Sequence, residues 1–482
     1  MNVLLTNYHV LDGNFLRKNG GFEFEFEDGI KKTIKIRKLS VVISNKELDY
    51  TCIEIFESDN ISYFLETNDQ ALDTKNEKED IFIIQYPNGE EISFSQGKIL
   101  KIKNEQNKNI IHSAPTSNGS SGSPIFLRND DLRICGIHSE GIKNPKINRG
   151  ISMNHIIKDI EKQINEIDFK KEDVINENDI LQIIILTDGR IAGSKDNGNI
   201  IIYNKEDFTK NDLIIKAFKT NPLNISYFTQ MSNQNLLVCG KSIKIIKLKI
   251  NLLYMESYDY FQKIELKDNI NILFNKAIEF DNNQILTCTN DSRICIFKKT
   301  NYGYSLGDTL SLRNNNKNKN NEMERTNIFK ISENQFIATS LTYKCAKFFK
   351  GRDFKEDSIV DNIEPNGYPN SIIKYKNEFL LIGGITCLYL ISINKDVNKN
   401  KLIKLNYISY SLYNLPNGNF IMGFKKIERN WALCESKIED EKLEIIKEKN
   451  DAHSSTILNI CKYYGILITY SEDMKIKFWY KE

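Results

Sequence analysis

Seven times after Ile180 the chain repeats one pattern: a turn, two or three apolar residues, a small or polar break, then a second apolar strand. The copies open at Asp188, Ser232, Asn282, Glu333, Lys376, Pro416 and Tyr464. With Ile191, Asn235, Ile285, Phe336, Phe379, Phe420 and Ile466 as equivalent positions, the intervals are 44, 50, 51, 43, 41 and 46 residues. A period of about 40–50 residues with several strands per unit belongs to a β-propeller, in which each small sheet buries its faces against its neighbours. Seven units fall inside the range of four to eight blades that close a ring.

Three copies sharpen the pattern. Ser194-Lys-Asp196 leads to Ile200–Tyr203, Thr289-Asn-Asp291 to Ile294–Phe297, and Ser471-Glu-Asp473 to Ile476–Trp479. These segments resemble the WD-repeat family, in which a turn Asp precedes an alternating strand that ends in an aromatic. The resemblance covers roughly Ile180–Trp479, and the second, fourth, fifth and sixth units lack the Asp. An Asp at such a turn satisfies exposed backbone N–H groups, so each reads as a turn residue and none as catalytic. The run Asn314–Asn321 reads as a disordered loop.

The rest of the chain is of another kind. At 482 residues the protein exceeds one compact core, and 40% hydrophobic with 27% charged residues describes an ordinary globular chain. The 66 Lys+Arg against 64 Asp+Glu leave a net charge of +2, which gives no general field for nucleic acid or an acidic membrane. No apolar run approaches the ~18–20 residues of a membrane helix, and Met1–Leu5 is too short for a signal peptide. Nine scattered cysteines suit buried thiols in a reducing compartment, so a cytoplasmic location is expected. Residues 1–169 read as short strands, Gly/Ser-rich loops and one helix, Asn154–Ile167, with Ile156, Ile157, Ile160, Ile164 and Ile167 on one face and Ser152 or Asn154 as its cap. The charged stretch 170–179 lacks apolar periodicity and reads as a linker to the propeller at 180–482.

The chemistry-bearing residues lie in the first part. His9 ends the apolar run Val3–Leu11, Asp49 opens the alternating run Leu48–Ile55, and Ser121 sits in the turn Gly119-Ser-Ser121-Gly-Ser-Pro124. A Ser hydroxyl is a weak nucleophile near pH 7; a His must take its proton and a carboxylate must fix the His tautomer. Glycines beside the Ser let backbone N–H groups turn toward an oxyanion. The order His, Asp, Ser, with gaps of 40 and 72 residues, excludes an α/β-hydrolase, whose Ser comes first.

Thr6–Leu11, Leu48–Ile55 and Gly119–Pro124 resemble the chymotrypsin-like (trypsin-type) serine peptidases. The resemblance implies two perpendicular six-stranded barrels, His9 as general base, Asp49 as orienting acid, Ser121 as nucleophile, and the Gly119 and Ser121 N–H groups as oxyanion donors. Ile81–Gly89 resembles the opening of the second barrel, Gly97–Leu100 its next strand, and Ile134–Gly141 the wall of the specificity pocket. The Ser-Gly-Ser-Pro and Gly-Ile-His elements are most similar to the glutamyl-endopeptidase branch, which implies that Thr116 and His138 bind an acidic side chain. Only eight residues precede His9, where the resemblance calls for about two strands. The first barrel is therefore expected to be truncated, either because the chain begins at an internal Met or because the barrel is incomplete.

His112, His155 and His453 read as structural or surface residues, Lys31–Lys38 as a solvated strand face and Cys52 as packing. No cofactor or metal is expected. The expected architecture is all-β, a chymotrypsin-like double barrel followed by a seven-bladed propeller. The expected function is a serine endopeptidase whose propeller recruits protein partners, with no role in nucleic-acid or membrane binding. The alternatives are an interaction scaffold with an inert protease-like domain and, third, a receptor for a peptide end.

Overall fold

Short apolar strands joined by tight turns dominate both halves of the chain. The structure is a computed structural model. It describes all residues except 1, 26–30, 37–39, 57–58, 60, 62, 68–71, 73, 104–108, 129–131, 142–146, 219–224, 251–254, 267–271, 281–283, 313–325, 352–353, 362, 364, 366–370, 385, 395–399, 406, 427–429, 441 and 481–482. The run Asn314–Asn321 and the end of Lys31–Lys38 lie outside the described residues. The chain divides into two compact units, Met1–Glu166 and Ile167–Glu482.

In the first unit, β1 (Val3–Thr6), α1 (Gly13–Asn19), β2 (Gly21–Glu25), β3 (Lys31–Lys35), β4 (Val42–Asn45) and β5 (Tyr50–Glu54) form the first lobe. β5 runs between β1 and β4, and β2 pairs with β3. Leu16, Ile34, Ile53 and Ile55 are buried between these elements. Among the described residues this lobe is a three-stranded sheet and a hairpin rather than a closed barrel.

The second lobe closes. β6 (Asp80–Gln85), β7 (Ser93–Lys103), β8 (Asn109–His112), β9 (Pro124–Leu127), β10 (Ile134–Gly141) and β11 (Asn148–Ser152) form a six-stranded barrel in the order β10-β11-β8-β7-β6-β9. Alternate residues fill it, among them Ile81, Ile83, Ile99, Ile110 and Ile125. α2 (Met153–Asn165) follows, with Ser152 at its N-cap but without a side-chain cap bond. The helix stops short of the expected Ile167. That residue instead joins Phe169, Leu467 and Trp479 in the core of the second unit.

The second unit contains seven four-stranded sheets resembling propeller blades. Six are built from consecutive strands, spanning Ile180–Lys216, Ile225–Ile264, Phe274–Ser311, Thr326–Asp361, Ile372–Lys404 and Tyr407–His453. The seventh takes three strands from the end of the chain, Ile457–Tyr463, Ile466–Ser471 and Lys475–Tyr480. Its fourth strand is β12 (Lys171–Asn176), antiparallel to Lys475–Tyr480 with Lys171 opposite Tyr480 and Asn176 opposite Lys475. The stretch 170–179 is therefore no linker. Its alternating residues lack an apolar period because it is an outer strand with solvent on one face.

The first strand of each sheet lies against the first strand of the next, from the first sheet to the seventh and from the seventh to the first. The repeat positions all fall at the start of the second strand of their sheets, with a slip in three of them. Ile285, Phe336 and Phe420 pack toward the preceding sheet. In the second, fifth and seventh sheets the residue that does so is one later, Leu236, Leu380 and Leu467. Both faces of these strands are buried, so neighbouring apolar residues are indistinguishable by pattern. Among the described residues no helix is long and apolar enough to cross a membrane.

Candidate functional site

The pairing of β1 with β5 sets Thr6 opposite Thr51, so that His9, three residues on, meets Asp49, two residues back. Asp49 closes the β4–β5 turn at φ +46°, a left-handed conformation that Asp tolerates better than most side chains. Asn7, fully buried, donates from Nδ2 to the Asp49 carbonyl at 2.9 Å and ties the two turns together. The His9 N–H donates to Asp49 Oδ1 at 3.1 Å, and Nδ1 lies 2.9 Å from both Asp49 oxygens. That contact holds the proton on Nδ1 and leaves Nε2 as an acceptor. Ser121 Oγ is 3.0 Å from Nε2.

Ser121 is brought there by the loop between β8 and β9. The Gly122 N–H donates to the His138 carbonyl and the His138 N–H to the Ser123 carbonyl, which fastens the loop to β10. Gly122 has φ +86°, and a Cβ there would stand 2.9 Å from Thr6 Oγ1 at the end of β1. Gly119 has φ +89°, and a Cβ there would stand 3.0 Å from the Tyr86 carbonyl. Glycine is required at both places. Among the described residues neither the Gly119 nor the Ser121 N–H donates to a backbone carbonyl.

Sequence reading missed two residues. Ser139, almost fully buried, donates from Oγ to Asp49 Oδ2 at 2.6 Å, and its carbonyl accepts from Ser121 Oγ at 3.1 Å. It stands next to His138 at a bulge of β10, where the pairing with β11 shifts and no local period marks it in the sequence. His112, read from the sequence as a structural or surface residue, is structural. It is fully buried, and its Nε2 lies 3.4 Å from His138 Nδ1 with the rings edge to face. Burial, reinforced by His9, pushes His138 down to about 4; burial, reinforced by His138, pushes His112 down to about 3. Both rings are neutral at pH 7. Thr116 is half-buried in the β8–β9 loop, with no hydrogen bond to His138 among the described residues. Glu140 is turned to Arg149 at 3.1 Å. Cys52 is buried, and burial pushes its thiol up to about 12, which leaves it unreactive.

In the second unit His453 is also a core residue. Its Nδ1 lies 3.0 Å from Asp473 Oδ2 and its Nε2 2.8 Å from Thr469 Oγ1, which accepts from Trp479 Nε1 at 2.9 Å. Burial alone would raise Asp473, but the hydrogen bonds from His453 and from the Ser454 N–H outweigh it and hold it at about 2. The chain Trp479 to Thr469 to His453 to Asp473 runs in one donor direction with a neutral imidazole.

The family model of the trypsin-like peptidase domain matches residues 2–137. No curated protein matches the chain. Among solved structures, the WD40 β-propeller domain of Doa1 is 15% identical, with 65% of this chain and 97% of that one covered at a TM-score of 0.47. Virginiamycin B lyase from Staphylococcus aureus is 13% identical, with 65% and 99% covered at a TM-score of 0.49. Over residues 2–137 the chain is thus similar to the trypsin-like peptidase domain.

Proposed function

We propose that the first unit is a serine endopeptidase with His9 as general base, Asp49 as orienting acid, Ser121 as nucleophile and the Gly119 and Ser121 N–H groups as oxyanion donors. The observation that carries this reading is the continuous contact from Asp49 through His9 to Ser121, at 2.9 and 3.0 Å. In that scheme Ser121 attacks the carbonyl carbon and its proton passes to His9 Nε2, which protonates the amine as the C–N bond breaks; a water, giving its proton to His9, then cleaves the acyl ester and Ser121 takes the proton back. Fluorophosphonate labelling of the full chain tests it. Labelling of the native protein that Ser121→Ala abolishes and Ser120→Ala retains supports the reading; a folded native chain that never labels ends it.

A second reading is favoured by the open, three-stranded first lobe: a protease-like domain without activity, held in an interaction scaffold. The family match suits this reading better than the first, since it reaches the fold and not the chemistry. The labelling experiment separates the two.

Substrate choice follows from His138. If His112 gives its Nε2 proton to His138 Nδ1, His138 Nε2 keeps a proton to donate to a carboxylate, with Thr116 as a second donor. Cleavage after Glu is expected, and His138→Ala should lose far more efficiency on Glu than on Ala substrates. A peptide library that reveals Lys, Arg or large aromatics before the scissile bond ends this part and leaves the triad untouched.

We read the second unit as a closed seven-bladed propeller that holds protein partners. Its support is β12, which completes the seventh sheet from the other end of the chain, so that opening the ring would cost a strand pairing. The cytoplasmic placement rests on nine cysteines that carry thiols rather than disulfides.

A further inference from the structure

The first strands of all seven sheets surround a cavity of about 660 Å³, a size that suits a small molecule. Among the described residues four lysines line it, Lys276, Lys330, Lys374 and Lys462, each from a different sheet, and no carboxylate does. Three of them share one level. Lys330 is paired across its hairpin with Phe336, Lys374 with Leu380 and Lys462 with Leu467. Phe336, Leu380 and Leu467 each pack on the preceding sheet, so they are structural equivalents and their partners stand at one height along the cavity. Lys276 lies deeper on its own strand, about three residues or ~10 Å from that height.

The surrounding charges do not cancel them. Lys330 meets Glu333 at 3.4 Å, and Glu279, at the same level on the third sheet, accepts the Ser232 N–H at 2.6 Å. Among the described residues Lys374 and Lys462 make no side-chain hydrogen bond or ion pair. Glu435 acts on Lys462 electrostatically but is bonded to Asn417 and Asn419. Burial pushes Lys276 and Lys462 down to about 8, so both are still mostly charged at pH 7. Like charges gathered in a half-buried cavity raise the free energy of the empty protein, and an anion placed among them lowers it.

We propose that this cavity binds a small polyphosphorylated anion, with Lys374 and Lys462 as its main contacts and Lys330 and Lys276 beside them. Lysine serves phosphate as a point charge, and several ammonium groups within one small volume call for several negative charges on one compact molecule. A peptide carboxylate brings only one charge per residue.

Calorimetric titration of the full chain at pH 7 and physiological salt tests this with tripolyphosphate, myo-inositol hexakisphosphate and ATP, and orthophosphate as comparator. Saturable one-to-one binding of at least one polyphosphate is expected, and the one preferred tells a linear chain, a ring or a nucleotide apart. Lys374→Gln/Lys462→Gln should weaken it roughly tenfold or more, and Lys374→Arg/Lys462→Arg should keep it. Lys101→Gln/Lys158→Gln, on the exposed surface of the first unit, should change nothing. Affinity should fall from pH 7 to 9. No saturable binding by folded protein, tighter binding of a poly-Glu peptide, or equal loss in both glutamine pairs overturns the proposal. Ser121 labelling plays no part in any of these outcomes.

Discussion

Ser139 follows His138 on β10 where the pairing with β11 slips between His138 and Glu140, and both side chains are buried there. In the proposed triad the Ser139 side chain would act only through the Asp49 carboxylate that it anchors, while its backbone carbonyl meets Ser121 Oγ. As a positioning residue it should show its loss in turnover: Ser139→Ala is expected to lower kcat about tenfold with KM nearly unchanged, and Ser139→Thr to recover part of it. Asp49→Asn should cost far more, about 10³–10⁴-fold in labelling rate, because the amide favours the wrong His9 tautomer. The buried pair His112 and His138 makes a different statement. Both are held below the ordinary histidine value of 6.5, so the unfolded chain takes up protons that the folded barrel refuses. Their contribution is complete above about pH 6.5 and is lost as pH falls from there toward 4 and below. His112→Asn/His138→Asn should flatten that slope, by a few kcal/mol across the window at most. Hydrogen exchange in peptides from Ile99–Ser152 at pH 7 and pH 4.5 measures it.

At the scale of elements, β12 and the Asp473 turn carry the second unit's seventh sheet. Both tryptophans, Trp431 and Trp479, belong to this unit and lie in one core cluster, so tryptophan fluorescence of the full chain follows its unfolding alone. Asp473→Ala leaves His453 buried without its acceptor and should cost about 3 kcal/mol, read as a lower urea midpoint of that signal. A chain begun at Ile167 should melt cooperatively. One begun at 178 lacks β12, exposes the edge of Lys475–Tyr480, and should melt lower or associate. Equal melting of the two would remove β12 from any role in closure.

For the whole molecule, the two units predict two stable products. Trypsin on the full chain should leave a lasting fragment that contains both tryptophans and starts at or before Lys170, since Lys171 is held in a strand. Rapid digestion throughout Ile180–Glu482 would argue against a closed ring of sheets.

The seven-fold repeat and the ordered His9, Asp49 and Ser121 were legible in the sequence, because a local period and a strand-end residue each leave a mark in neighbouring residues. What the sequence left open was every contact between distant segments with no such mark. β12 looks like a charged linker, since one face of an outer strand is wet and its partner lies some three hundred residues away. Ser139, His112 and His453 look like ordinary polar residues until a barrel or a sheet buries them beside Asp49, His138 and Asp473. The slip at Leu236, Leu380 and Leu467 has the same cause: where both faces of a strand are buried, composition names the core and only packing decides which residue faces which neighbour.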